Sequence, residues 1–345
     1  MEPTNHRIYQ GDASNLTQVE DNSIDLVVTS PPYPMIAMWD KLFAAANPQI
    51  KNLLEQGDGA QAFEKMHLIL DQAWAELFRV MKPGALACIN IGDATRSLNR
   101  SFALFPNQAR LQNALLKNGF TLLPRIIWRK QTNSPNKFMG SGMLPGCAYV
   151  TLEHEIVVIA RKGRQRCYKN DDEKELRRQS SYFWEERNIW FSDVWDFKGT
   201  RQEEALKQAG RRSAAFPLEM PFRLINMHSL IGDTILDPFL GTGTTSVAAA
   251  AAGRNSIGFE LSQELVEAAI ERLAGSAELI KGLNPRRLEK HREFIIKHEG
   301  KRKQPEYYNE HCGFSVITRQ EVKLRLPLPE NVYRSGPQVF TVTYS

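Results

Sequence analysis

Two periodicities alternate along this chain. Short apolar runs suited to strands buried on both faces of a sheet occur at 24–29 (IDLVVT), 85–91 (ALACINI), 154–163 (HEIVVIARKG), 233–239 (DTILDPF) and 255–261 (NSIGFEL). Strands are also predicted at 6–12 (HRIYQGD) and 121–130 (TLLPRIIWRK). Between them apolar residues recur at helical spacing. At 61–81, Phe63, Met66, Leu70, Trp74, Leu77 and Phe78 share one face, and Lys82-Pro83-Gly84 stops the helix. Further helices are predicted at 107–118, 217–229, 244–253 (TTSVAAAAAG) and 262–275. Strand–helix alternation of this kind predicts an α/β fold on a parallel sheet. Residues 40–60 read as a loop or loose helix. Periodicity fails across 162–213, and from 276 the chain turns basic and ends irregularly.

Two of the strand ends carry candidate chemistry. The first is Asp237-Pro238-Phe239-Leu240-Gly241-Thr242-Gly243-Thr244, which leads from a strand into an alanine-rich helix. Glycines there let the backbone approach a ligand beside a helix N-terminus. The next strand ends at Glu260, a carboxylate placed to accept from the hydroxyls of a ribose. The loop has no G-x-x-x-x-G-K-[ST] pattern, so it is not a phosphate cradle for ATP, and Ser246 stands where G-x-G-x-x-G needs its third glycine. A cationic ligand without phosphates suits the acidic Asp237 and Glu260. The competing reading is a strand-to-helix turn that merely needs glycine.

The second is Ser30-Pro31-Pro32-Tyr33, directly after IDLVVT. Two prolines fix φ and remove two donors, leaving a rigid, acceptor-rich corner at the sheet edge where open α/β folds bind ligands. The Ser30 side chain and the Pro31 carbonyl can accept the hydrogens of an amino group. The ring of Tyr33, rather than its hydroxyl, can stack on the flat base carrying that group. An ordinary Pro-Pro turn is the alternative.

Composition narrows the choice. With 345 residues, 42% of them hydrophobic, the chain has room for a catalytic domain and an accessory region. The net charge of +5 hints at a polyanionic partner. Four cysteines without a C-x-x-C pair give neither a disulfide framework nor a zinc site and suit a reducing cytosol. The start has no signal-peptide pattern and no apolar run is long enough for a bilayer, so a soluble cytoplasmic protein without a membrane partner is expected. Basic and aromatic residues interleave across 162–213, among them Arg164, Arg166, Arg187, Arg201, Lys207, Arg211, Arg212, Tyr182, Phe183, Trp184, Trp190 and Trp195, diluted by Asp171, Asp172, Glu185 and Glu186. The run Lys281–Lys303 is more clearly basic. Either suits contact with phosphates and bases, and either is equally a solvated surface or a small local core. Asp93, at the end of INIGD, lines the pocket or caps a helix.

Together the two motifs resemble the amino-methylating DNA methyltransferases, which modify N4 of cytosine or N6 of adenine. The catalytic motif precedes the cofactor motif, the order of the permuted class called β. The resemblance implies a Rossmann-like S-adenosylmethionine-dependent methyltransferase sheet, circularly permuted, so that the chain begins at the sheet's third strand and finishes with its first two, with an added DNA-recognition region. It implies catalysis by Ser30, Pro31, Pro32 and Tyr33. It also implies S-adenosyl-L-methionine held by Asp12, Phe216, Pro217, Asp237, Pro238, Phe239, Gly241, Thr242, Gly243, Thr244 and Glu260, with Asp12 near the adenine, Phe216-Pro217 over the methionine part and no metal. The segments become 1–161, the catalytic half; 162–213, an insertion suited to target recognition; 214–275, the cofactor-binding half; and 276–345, a basic extension suited to DNA.

Ser30 favours cytosine N4 within that family, as part of a restriction-modification system whose cognate endonuclease cuts the same site in double-stranded DNA. An N6-adenine enzyme of the same build, an RNA amino-methyltransferase and a non-catalytic nucleic-acid binder are the rivals. The C5-cytosine class is excluded, because its nucleophilic cysteine follows a proline and no Pro-Cys dipeptide occurs here. The target base would have to leave the duplex, at a cost of a few kcal/mol. The proton acceptor, Ser30 or a water, stays open.

Overall fold

The computed structural model describes residues 1–130, 139–199, 216–299 and 305–345. Its strands are β1 (Thr4–Gln10), β2 (Ile24–Thr29), β3 (Met81–Ile91), β4 (Phe120–Leu122), β5 (Ile126–Arg129), β6 (His154–Lys162), β7 (Val194–Asp196), β8 (Thr234–Asp237), β9 (Asn255–Glu260), β10 (Pro329–Gly336) and β11 (Val339–Tyr344). They form one sheet in the order β7-β5-β6-β3-β2-β8-β9-β1-β11-β10, with β4 pairing with β6 beside β5. The run β3-β2-β8-β9-β1 is parallel, and β6 and β11 join its two sides antiparallel. The chain thus starts at the third strand counted outward from β8 and returns to β8 and β9 later, as the permuted order requires.

The helices used below are α1 (Gly59–Val80), α2 (Asn107–Lys117), α3 (Trp184–Trp190), α4 (Glu219–His228), α5 (Thr244–Ala252), α6 (Gln263–Ala274) and α7 (Ala277–Glu299). Parallel strands need crossovers, and those crossovers cover both faces. Trp74 and Leu77 of α1 and Leu111 of α2 pack with Val27 on one side, whereas Leu224 of α4, Val247 of α5 and Leu273 of α6 pack with Leu26 and Val28 on the other. Every residue of β2 is therefore buried, which is why IDLVVT does not alternate. Helix α5 is buried at every position, and its alanines let it run beneath α4 and α7.

Local chemistry explains where the elements depart from the periodic reading. Pro124 divides 120–129 into β4 and β5, because proline cannot donate to a ladder. The stretch 40–60 forms two short helices, Asp40–Ala46 and Gln49–Gln56, the second ending at Gly57 with φ +82°. The C-terminal part is not irregular: α7 is followed by the small hairpin Tyr307–Asn309/Phe314–Val316 and then by β10–β11, which adds to the sheet at β1. His6 of β1 is fully buried there, against Thr4 (3.0 Å) and Ser256 of β9 (2.9 Å).

The insertion and the basic run pack on each other. Phe183, beside α3, shares a small core with Phe314, Val316 and Leu324. Arg287 of α7 donates to both carboxylate oxygens of Glu186 at 2.7 and 2.8 Å, with Trp190 and Phe222 rings against its guanidinium. Part of the basic run is thus turned inward, while Arg286, Lys290 and Arg292 are exposed. Arg201, Lys207, Arg211 and Arg212 of the insertion, and the end of the basic run at 300–303, lie outside the described residues. Among the described residues, no helix is long and apolar enough to cross a membrane.

Both members of the Arg287–Glu186 pair are nearly buried, at 8% and 12% side-chain exposure. Removing one partner strands a charge and is expected to cost about 3–5 kcal/mol, whereas replacing both by apolar residues costs much less. Urea unfolding of Glu186→Ala and of Glu186→Leu/Arg287→Met checks this. A single variant no less stable than the double would show that the pair does not anchor α7.

Candidate active site

Strand β2 ends at Thr29, and the chain then runs Ser30-Pro31-Pro32-Tyr33-Pro34 along the carboxyl edge of the sheet. Register places the ends of β8 and β9 beside it, with Leu236 opposite Val27 and Asp237 opposite Gly258. The corner closes at Met35, a buried non-glycine residue at φ +67°. Such backbone costs free energy and persists only where surroundings enforce it. Here Asn107, at the start of α2, donates to the carbonyls of Pro34 and Gly92, both at 3.0 Å, and accepts from His67 at 3.0 Å. Burial pushes His67 down to about 4, so its ring is neutral. Asp93 caps α2, accepting from the Gln108 amide at 3.0 Å.

Tyr33 is anchored through its hydroxyl as well as placed through its ring. The hydroxyl donates to Glu155 Oε2 (2.9 Å), accepts from Asn90 Nδ2 (2.8 Å) and lies 3.0 Å from Ser30 Oγ. Asn90 Nδ2 also reaches Glu155 Oε2 (2.6 Å), and Lys130 donates to Glu155 Oε1 while lying over the Trp128 ring. Burial, and next the Glu155 carboxylate, raise the Tyr33 hydroxyl well above its ordinary value, so it keeps its proton. The antiparallel pairing of β6 with β3 builds this cluster: Val157 lies opposite Asn90, which sets Asn90 and Glu155 diagonally on one face. Gly92 leaves room, since a Cβ there would come 3.1 Å from both Glu155 and Tyr33. Asn90, Lys130 and Glu155 are additions to the motif residues. Their signals in the sequence are an amide inside ALACINI and a carboxylate heading an apolar strand, but only the pairing shows that they meet.

The glycine loop is braced from below. Asp237, 3% exposed, accepts from Thr29 Oγ1 and Thr245 Oγ1, each at 2.6 Å, and from the Phe239 amide at 3.1 Å. Its carboxylate joins the corner after β2 to the loop instead of facing open solvent. Glu260 accepts from the Gly241 amide (2.9 Å) and the Ser262 amide (3.0 Å), each oxygen keeping acceptor capacity for a ligand. Gly241 and Gly243 have φ +56° and +81°, backbone that favours glycine. Thr242 and Thr244 accept from Arg272 at 2.9 Å, Pro238 is buried, and Phe239 meets Trp74 edge to face. Across the edge, the Gly11 amide donates to the Glu260 carbonyl, which brings the exposed Asp12 alongside; Asp12 itself accepts from the Ser14 amide. Phe216 and Pro217 are buried at the entry to α4.

A family model described as DNA methylase matches residues 24–271. The Type II methyltransferase M.MthZI of Methanothermobacter thermautotrophicus is 49% identical over 99% of this chain and 95% of its own. M.MjaI of Methanocaldococcus jannaschii is 49% identical over 76% and 89%. Among solved structures, TTHA0409 of Thermus thermophilus in complex with S-adenosyl-L-methionine superposes with a TM-score of 0.60, at 31% identity over 77% of this chain and 92% of that one.

Burial raises Asp237 from the ordinary 3.8 to about 6. A carboxyl group raised on folding stabilises the native state at low pH and loses that contribution as pH rises. Asp237 therefore takes away about 2–3 kcal/mol between about pH 4 and about pH 6. Asp237→Asn removes the effect, so its stability relative to the unsubstituted protein should improve across that window and level off above it. Urea titrations through this range test the sign, and a constant difference would overturn the assignment.

Proposed function

The chain belongs to the DNA methylase family of N6 and N4 amino-methyltransferases, and from that premise we propose that it transfers a methyl group from S-adenosyl-L-methionine to cytosine N4 in double-stranded DNA. The observation that carries the reading is the Ser30 hydroxyl, held beside Tyr33 at a corner that Asp237 bolts to the glycine loop. The residues fit the cofactor: loop 237–243 offers glycine backbone and a helix N-terminus, and Glu260 and Asp12 offer carboxylates along one edge. Glu260 would hold the ribose, Asp12 the adenine, and Phe216 and Pro217 the methionine end. Bound there, the cofactor supplies an electrophilic methyl on a sulfonium.

The residues of this chain supply position and polarity. An exocyclic amine is a poor nucleophile because its lone pair is spread into the ring. Ser30 Oγ and the Pro31 carbonyl accept its hydrogens and localise that pair. Tyr33 stacks on the flipped base, offsetting part of the unstacking cost. Most of the acceleration is orientation and fixed dipoles. A serine at this position favours cytosine over adenine. We place the enzyme in the cytoplasm, with a cognate endonuclease cutting the same site, and assign phosphate binding to the exposed Arg286, Lys290 and Arg292.

Nucleoside mass spectrometry of DNA incubated with the protein and labelled cofactor should show N4-methylcytosine. N6-methyladenine as the product would move the assignment to the other base. Ser30→Ala should slow methyl transfer on the order of 10²-fold with cofactor and DNA binding retained. Replacing Arg286, Lys290 and Arg292 by Gln should flatten the dependence of log affinity on log salt by about 0.9 for each phosphate no longer neutralised, and an unchanged slope would remove α7 from the interface.

A further inference from the structure

The hydrogen bonds around Tyr33 have only one consistent direction. Tyr33 carries a single hydroxyl proton, and that proton points to Glu155 Oε2 at 2.9 Å. The Tyr33 oxygen must then accept from its other neighbours. Asn90 Nδ2 is a donor by nature, at 2.8 Å. Ser30 Oγ, at 3.0 Å, must therefore also donate. The Ser30 proton is committed to Tyr33, so what that hydroxyl can still offer a ligand is its lone pairs. With Glu155 ionised, turning the Tyr33 proton toward Ser30 would leave the Tyr33 oxygen facing the carboxylate with no proton between them. Asn90 cannot turn over, because its oxygen would then meet the Glu155 carboxylate, which its amide nitrogen now reaches at 2.6 Å.

We infer that Glu155 is a positioning residue that sets Ser30 as an acceptor and that it is the terminus of a three-membered proton relay, Ser30–Tyr33–Glu155. This rests on the reading of Ser30 as the acceptor of the base amino group. As the amino nitrogen takes the methyl, its new C–N bond forms and the methyl's bond to sulfur breaks onto sulfur. The nitrogen's surplus proton passes to Ser30 Oγ, the Ser30 proton to the Tyr33 oxygen, and the Tyr33 proton to Glu155 Oε2. The positive charge lost at sulfur is matched by the negative charge lost at the carboxylate. The last two transfers run along hydrogen bonds already in place, so no water need enter beside the methyl. Between turnovers the proton on Glu155 is released to water at the Lys130 side of the cluster, where the Lys130 side chain is 40% exposed while that of Glu155 is 12% exposed; the Lys130 ammonium, itself a donor to Glu155, takes no proton. The groups facing Glu155 are Tyr33 from the corner after β2, Asn90 from β3 and Lys130 after β5. No other charged side chain of the described residues bonds to it in the structure.

The test is single-turnover methyl transfer as a function of pH, at saturating cofactor and DNA, for the unsubstituted protein, Glu155→Gln, Tyr33→Phe and Ser30→Ala. Calorimetry of cofactor and DNA binding accompanies each variant. The relay needs Glu155 as a carboxylate before the reaction begins, so the unsubstituted rate should fall on the acid side. Glu155→Gln should be slower by on the order of 10²-fold, with binding within about twofold, and should lose the acid limb. Tyr33→Phe keeps the ring and cuts the relay, so it should show the same flattened profile. It decides the matter should the Glu155 variant fail to fold or to bind. A slow Glu155→Gln and Tyr33→Phe that both keep the acid limb would overturn the relay, leaving Glu155 a purely structural group. A Ser30→Ala protein with the normal rate would instead overturn the reading of Ser30 on which the relay stands.

Discussion

A carboxylate taken out of water needs every lone pair it can fill, and Asp237 meets that need with hydroxyls from two different parts of the chain. Thr29 comes from the strand that ends in the Ser30–Tyr33 corner, Thr245 from the first turn of the helix behind the glycine loop. Any slip of β2 against β8 would leave the buried carboxylate short of a donor. The spacing between corner and loop is thereby held by an interaction that is costly to stretch, and alignment of two ligands to within an ångström is what this chemistry demands. Thr29, Thr245 and Asp237 all sit where the sheet order reverses, with β2 leading one way and β9 the other. The parallel centre, the buried alanine helix and the two apolar faces converge on that seam.

Much of this is legible in the sequence alone. The parallel centre follows from unbroken apolar runs, and the permuted order from which motif comes first. Both motifs are contiguous, so their chemistry travels with the local sequence. What stays hidden is assembled by pairing. Asn90 and Glu155 look like misplaced polar residues in apolar strands until β6 is laid antiparallel on β3. The Tyr33 hydroxyl, to which stacking chemistry gives no role, is the hub of the cluster. The β10–β11 hairpin has the β-branched character of a strand pair, but little in it says that its partner is β1.

Charge is the least transparent signal. Glu185 and Glu186 weaken a DNA-binding reading of the insertion when counted as composition. In the fold they complement the run that carries the basic charge: Glu186 takes Arg287, and Glu185 lies 2.8 Å from His291, whose other nitrogen faces the Ser315 carbonyl. With acceptors at both ring nitrogens, His291 is raised despite its burial. Two segments that read as separate candidates for one role pack against each other, and among the described residues of α7 Arg286, Lys290 and Arg292 stay exposed.

The interleaving of β1 has a consequence for how the protein is made. His6 bonds across to Ser256, 250 residues later, and Thr4 to Tyr344, 340 residues later. A ribosome adding about 5–20 residues per second would release β1 on the order of tens of seconds before either neighbour exists. Until then the strand has two open edges, and loop closure over such a span is slow. The nascent chain carries Ser30–Tyr33 early but lacks Asp237, which holds that corner to the glycine loop, and Glu260 until more than 200 residues later. Competence to modify DNA thus arrives at once and late, and folding intermediates with an exposed β1 are the species a chaperone would be expected to meet.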